Sequence, residues 1–303
     1  MITGILDIVL PHYGDVALLQ AAVRSIIDQD DSRWRLTVVD DSVEPGLPEW
    51  FAGLGHPQVR YERNERNLGI TANFQKCLDR VEYDRMVMMG SDDIMLPNYV
   101  RRVLNLVAEH PDATIIQPGV EIIGSDGMRV NPLVDRAKMR IYRPGFTGTT
   151  VVGGEPLAAS LLRGNWMYFP SLCWRSAELR AVGFDQRHSI VQDLAAIITL
   201  LERGAQVVLD DQVCFQYRRH AASVSSAGAV RGSRFREEAA YFDEVAAQLD
   251  ARGWPRAASA ARWHSSSRLH ALTMVPRALR AGDLQGLATL SRHVTGRATR
   301  SRT

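Results

Sequence analysis

The chain has 303 residues, 46% hydrophobic and 23% charged, an ordinary globular balance that excludes a wholly disordered protein. A formal net charge of +2 is too small to imply a nucleic-acid partner. Three scattered cysteines, Cys77, Cys173 and Cys214, without a C-x-x-C pair exclude a disulfide framework and suggest no zinc site, so buried free thiols are expected.

The predicted elements alternate along the first half. Ile5 to Leu10 reads as a buried strand, and Asp15 can cap a helix bearing Val16, Leu19, Val23, Ile26 and Ile27 on one face. Leu36 to Val39 is a second strand, ending in Asp40-Asp41, and Val59 to Glu62 a short third. A polar loop, 63–69, leads into a helix with Ile70, Phe74, Cys77, Leu78 and Val81 on one side. Met86 to Met89 is a fourth strand, ending in Gly90-Ser91-Asp92-Asp93. Pro97 then opens a helix with Val100, Val103, Leu104 and Val107, and Ala113 to Gln117 is a fifth strand.

The stretch 121–154 holds no period and reads as an irregular excursion or hairpin. Glu155 to Arg163 reads as helical, and Asn165 to Trp174 as an aromatic segment that could hold a strand. Asp193 begins an amphipathic helix that Gly204 ends, and 207–209 and 213–217 read as strands. Three helices are expected after residue 226: 233–251, one opened by Trp254-Pro255 and running to about 275, and 283–294, followed by a frayed end from Gly296.

Strands alternating with helices predict an α/β fold with a mainly parallel sheet covered on both faces. Ligands of such sheets bind beyond the carboxyl ends of the strands. Two of those ends carry paired aspartates here. Adjacent carboxylates repel unless a cation or hydrogen-bond donors sit with them. Hard divalent cations take oxygen ligands and keep waters and phosphates in their shell. One such pair could simply cap the next helix; two pairs on one rim indicate a ligand site.

Several motifs in order resemble the family 2 glycosyltransferases, which have the GT-A fold, over residues 4–226. They are Asp7-Ile8-Val9-Leu10-Pro11-His12-Tyr13, Val38-Val39-Asp40-Asp41-Ser42, Arg66-Asn67-Leu68-Gly69 with Asn73, Gly90-Ser91-Asp92-Asp93, Gln192-Asp193 and Tyr217-Arg218-Arg219-His220. The resemblance implies a Rossmann-like GT-A domain at 1–226, with flanking helices, and a C-terminal helical region at 227–303. It implies a nucleotide-sugar site formed by Pro11, Tyr13, Asp41, Asn67, Gly69, Asn73, Ser91, Asp92 and Arg218. In that site Tyr13 stacks on the base, Asp41 accepts a base N–H, and Asp92 holds the ribose or the waters around the cation. Asp93, at the DXD-type motif, and His220 would hold Mg2+ or Mn2+. Asp193 would be the general base, although a helix start equally suits an Asp as N-cap. Gln192 stands where the family usually has Glu. Asn165, Trp166 and Tyr168 could line an acceptor pocket, or form a buried linker.

The expected reaction is inverting, metal-assisted transfer from a UDP- or TDP-sugar to an acceptor hydroxyl on a glycan, a lipid-linked molecule or a small molecule, in cell-envelope polysaccharide synthesis. The alternative is a non-catalytic protein of the same fold that binds a nucleotide sugar or glycan. A dinucleotide-dependent oxidoreductase is excluded because Pro11-His12-Tyr13-Gly14 replaces a glycine-rich turn, and no P-loop motif is present. No apolar run can span a bilayer, and a strand begins at once without a basic leader, so a cytoplasmic protein is expected. The arginine-rich end, Arg277 to Arg302, leaves open contact with an anionic membrane face, a homodimer contact or a solvated cap.

Overall fold

A computed structural model describes residues 4–185, 187, 190–219, 233–280 and 284–295. Strands β1 (Leu6–His12), β2 (Trp34–Asp40), β3 (Val59–Arg63) and β4 (Arg85–Met88) lie side by side in the order β3-β2-β1-β4, all parallel. Beyond β4 the sheet turns mixed. β8 (Cys173–Arg175) runs antiparallel between β4 and β6 (Ile115–Ile123), and β6 pairs parallel with β9 (Gln206–Arg218). The short β5 (Ile94–Met95) and β7 (Thr149–Gly153) pair antiparallel with β9. The carboxyl ends of β1, β2, β4 and β9 therefore share one rim.

Strand alternation divides the core between the two faces of the sheet. Leu6, Ile8 and Leu10 of β1 pack with Leu19, Val23 and Ile26 of α1 (Val16–Ile27) and with Tyr99, Val100 and Val103 of α4 (Tyr99–Glu109). Asp15 caps α1 as expected, its Oδ1 accepting from Ala17 N at 2.8 Å and Leu18 N at 3.1 Å. Val9 and Val39 face the other way, toward Cys77 and Leu78 of α3 (Ile70–Asp79). The same cluster takes in α6 (Gly154–Arg163), α8 (Gln192–Glu202), α9 (Ser233–Ala251) and α10 (Pro255–Trp263). The first C-terminal helices thus share a core with the sheet. All three cysteines are free and buried, as expected.

The structure adds elements that periodicity did not show: α2 (Leu47–Leu54), α5 (Leu133–Ile141), β7 and α7 (Ser176–Val182). It merges the two strands expected at 207–217 into β9, whose register slips opposite Gly119. A Cβ at Gly119 would come within 2.6 Å of Asp211 O, so the slip needs glycine there. The helix expected from 254 to 275 is two. His264 breaks it at φ 25° because its buried ring stacks on Phe242, 4.6 Å away, and turns the chain into α11 (Ser265–Arg280). The last described helix is α12 (Leu284–Thr295). Among the described residues no helix is long and apolar enough to cross a membrane.

Candidate active site

The first corner of the rim is built on Asp41, which is 3% exposed. Its Oδ1 accepts from Asn64 Nδ2 at 2.8 Å and Leu68 N at 2.7 Å, and its Oδ2 from Gly69 N at 3.0 Å. Asn67 Nδ2 donates to the Asp41 carbonyl at 3.0 Å. Gly69 reaches this position at φ 80°, a left-handed conformation that favours glycine, and starts α3. The carboxylate therefore fastens the 64–69 loop to the end of β2. A carboxylate has about four acceptor positions, so one lone pair of Oδ2 is left over. Asn73 lies inside, at 3% exposed, bonded to Asn64 and to Val39 O. There it steadies Asn64, the partner of Asp41. Asp40 turns into the sheet. Burial alone would raise its pKa, but bonds from Tyr61, Ser42 and Arg63 outweigh burial and hold it below the usual carboxylate range. Tyr13 stands 72% exposed above this corner.

Asp41→Ala is expected to destabilise the fold by about 2–4 kcal/mol, because it leaves Asn64 and two backbone N–H groups without their acceptor. Urea unfolding followed by circular dichroism would measure the loss.

The second corner is the turn after β4. Asp93 is 1% exposed; its Oδ1 accepts from the backbone N–H of Arg218 at 2.8 Å, while Oδ2 has no partner among the described residues. A Cβ on Gly90 would lie 2.5 Å from that Oδ2, so the carboxylate is closed in against Gly90. Burial, and then the neighbouring Asp92 charge, push the Asp93 carboxyl well above its ordinary range. Asp92 and Ser91 are half-buried and reach the surface. Of the pair, Asp92 is the accessible carboxylate, and Asp93 ties the end of β9 to the turn. Arg218 lies behind the same turn. It is 7% exposed, and its guanidinium donates to Asp92 O at 2.7 Å and Gly124 O at 3.0 Å. It braces the corner and offers little to a phosphate.

Next to this corner lies a cavity of about 210 Å³, lined by Asn165, Tyr168, Asp193, Tyr217, Arg219 and Asp135 among others. Tyr217 joins the two places. Burial, followed by the charge of Asp93, raises its phenol to about 12. Asp193 is half-buried in the first turn of α8, whose N-cap is Val191 without a side-chain bond, so Asp193 does not cap the helix. Asn165 Nδ2 donates to Asp193 Oδ2 at 3.1 Å. The Asn165 Oδ1 accepts from Met167 N at 3.2 Å, which fixes which end of the amide faces Asp193. Trp166 borders the cavity but is 2% exposed, and its indole N–H donates to Ser160 Oγ at 2.9 Å. It builds the wall of the cavity.

Asp135 and Arg219 form an ion pair in the same wall. Sequence reasoning missed Asp135 and gave Arg219 no role of its own; the Asp135/Lys138 spacing on one helical face was a signal for the first. The His220 expectation lies outside the described residues. Among the described residues no three His, Cys, Asp or Glu side chains cluster as a metal site.

The glycosyl transferase family 2 profile matches residues 7–169, which spans both corners and the Asn165–Phe169 wall. The putative teichuronic acid biosynthesis glycosyltransferase TuaG of Bacillus subtilis is 19% identical over 224 residues, 73% of this chain and 82% of TuaG. The first curated relatives align over less than a third of their own length. Among solved structures, S. aureus TarS 1–349 in complex with UDP-GlcNAc superposes with a TM-score of 0.57 at 12% identity, covering 98% of this chain and 93% of that one. The mannosyltransferase PcManGT from Pyrobaculum calidifontis, in complex with GDP-Man and Mn2+, gives 0.58 at 15% identity, covering 96% and 80%. At these identities the two structures show the shared GT-A fold. With more than half of its residues matched by the family profile, the chain belongs to glycosyl transferase family 2.

Proposed function

We propose that the chain transfers a sugar from a UDP- or TDP-sugar to an acceptor hydroxyl, with inversion and the help of Mg2+ or Mn2+. The observation that carries this reading is the position of Asp193, a carboxylate in the first turn of α8 that lines a cavity adjoining the aspartate rim. Inversion by direct displacement needs one base on the acceptor side and one stabilised leaving group on the other. Asp193 and the Asp92 corner supply one of each. The relatives TuaG and WcaA, named for teichuronic and colanic acid biosynthesis, support a cell-envelope polysaccharide as the product.

The nucleotide would lie over the first corner. Tyr13 presents its ring to the base, Asp41 Oδ2 has room for one base N–H, and Asn67 and Gly69 hold the loop beneath. The chemistry of the second corner fits a hard divalent cation. Asp92 gives an accessible oxygen, and behind it Asp93 Oδ2 is a buried carboxylate oxygen without a compensating donor. Asp92 would hold the cation, with Asp93 behind it. When bound, the cation neutralises charge on the departing diphosphate. On the other side, Asp193 accepts the proton of the acceptor hydroxyl as that oxygen forms its bond to the anomeric carbon and the bond to the diphosphate breaks. Asn165 keeps the receiving carboxylate turned toward the cavity.

Donor turnover by the full chain with Mn2+ and with EDTA tests the reading, with product stereochemistry read by NMR at the anomeric centre. Metal-dependent turnover with an inverted product is expected. Tight nucleotide binding without turnover would assign a binding role instead.

Peripheral membrane contact belongs to the same reading. Helix α11 turns Ala271 and Met274 toward Leu290 of α12, yet exposes Leu269, Leu272 and Leu279 on another side, close to an exposed Trp263. Anionic liposomes should float the protein at low salt and release it as salt rises. Absence from the floated fraction at low salt would remove membrane contact and leave a homodimer or a solvated cap.

A further inference from the structure

The wall of the cavity beside Asp193 holds a buried acceptor that lacks a donor among the described residues. Asp135 is 5% exposed, and its Oδ1 accepts from Arg219 Nη2. Its Oδ2 is buried and has no hydrogen-bond partner among the described residues. Both side chains line the cavity, although one comes from α5 and the other from just beyond β9. A buried carboxylate oxygen in this condition favours a ligand that brings an O–H. A phosphate brings only further acceptors, and an alkyl chain brings none.

Charge points the same way. The lining includes two carboxylates, Asp135 and Asp193, and two cations, Lys138 and Arg219, so its formal charge cancels. An anion would gain no net attraction there and would face Asp135 at close range. Shape agrees as well. The rings of Tyr168 and Tyr217, 5.1 Å apart and tilted by 46°, offer apolar faces beside these polar groups. The volume, about 210 Å³, is below the roughly 300–1,000 Å³ of sites for drug-sized ligands and suits a single ring.

We propose that this cavity is an acceptor subsite for an uncharged sugar ring. Asp135 accepts a hydrogen bond from one ring hydroxyl, Arg219 donates to a neighbouring oxygen, and the tyrosines cover the C–H face. The assignment rests on the transfer reaction proposed above, because it takes the hydroxyl beside Asp193 as the one that reacts. Asp135 and Arg219 would then decide which acceptor is held.

Saturation-transfer NMR on the full chain, with UDP and Mn2+ present, tests the subsite. The probes are the methyl glycosides of glucose, galactose, mannose, rhamnose and N-acetylglucosamine, with glycerol 3-phosphate as the anionic control. At least one glycoside should bind, its Kd should rise at least fivefold in Asp135→Asn, and glycerol 3-phosphate should stay silent. Binding that survives Asp135→Asn, a response from glycerol 3-phosphate alone, or no response from any glycoside would each overturn the subsite. Should Asp135→Asn fail to fold by thermal melting, Arg219→Lys keeps the charge but loses the planar fork. It should weaken glycoside binding by a similar factor, and full binding would overturn the proposal. A thermal-shift series with UDP, TDP and GDP on the unmodified chain separates the two levels. Nucleotide binding without glycoside binding rejects the subsite alone, and binding of neither rejects the transfer reading.

Discussion

Replacing Asp193 by Asn is expected to lower the rate of sugar transfer by about 10²–10⁴-fold, the usual contribution of a positioned general base. The amide keeps the size of the carboxylate and can still meet Asn165, so the fold and the cavity should persist. What it cannot do is take up the proton of an attacking hydroxyl. Because α8 is capped by Val191 without a side-chain bond, the change removes no cap, and the melting temperature should move little. Transfer measured against acceptor concentration should therefore show a collapse of kcat, with thermal unfolding near that of the unmodified protein. A variant that transfers sugar at near the original rate would show that the base is another group.

The sheet was legible because its signals are local. Runs such as Leu36 to Val39 and Met86 to Met89 put apolar side chains on both faces, as parallel strands covered on both sides require, and the paired aspartates follow at or just beyond their ends. The corner residues were legible as a set, but their division of labour was not. Asp92 and Asp93 are adjacent in a turn, and which one is buried depends on where Arg218 brings its N–H, a backbone contact with no mark in the sequence. Arg218 and Arg219 pose the same difficulty. Neighbours at a strand end point to opposite sides, so only the register of β9 decides that Arg218 braces the turn while Arg219 enters the cavity. Asp135 was hidden for another reason. Its helix has nine residues, starts at Pro132 without a side-chain cap, and lies in a stretch rich in Gly, Pro and Arg, too short for a 3.6-residue period to stand out. Asp41 stands at the end of β2 as its strand pattern implies, yet its main partners, the N–H groups of Leu68 and Gly69, are again backbone.

The division between Asp92 and Asp93 at the aspartate corner has its own expected result. Asp92→Ala should lower metal-dependent transfer by on the order of 10²–10³-fold, since a cation that stabilises a leaving diphosphate is worth several kcal/mol and each 1.36 kcal/mol is a factor of ten. The loss should appear with little change in stability, because the carbonyl of Asp92 that accepts from Arg218 belongs to the backbone and survives the substitution. Asp93→Ala should behave differently. It removes the acceptor of the Arg218 N–H at the end of β9 and leaves a void against Gly90, so the protein should melt at a lower temperature whether or not metal is present. Measuring transfer over a Mn2+ titration, with EDTA as the zero point, and thermal unfolding for both variants separates the roles. If Asp92→Ala retained full Mn2+-stimulated transfer while Asp93→Ala lost it without loss of stability, the buried carboxylate would be the metal-facing one. The closed contact with Gly90 would then have to open when donor binds.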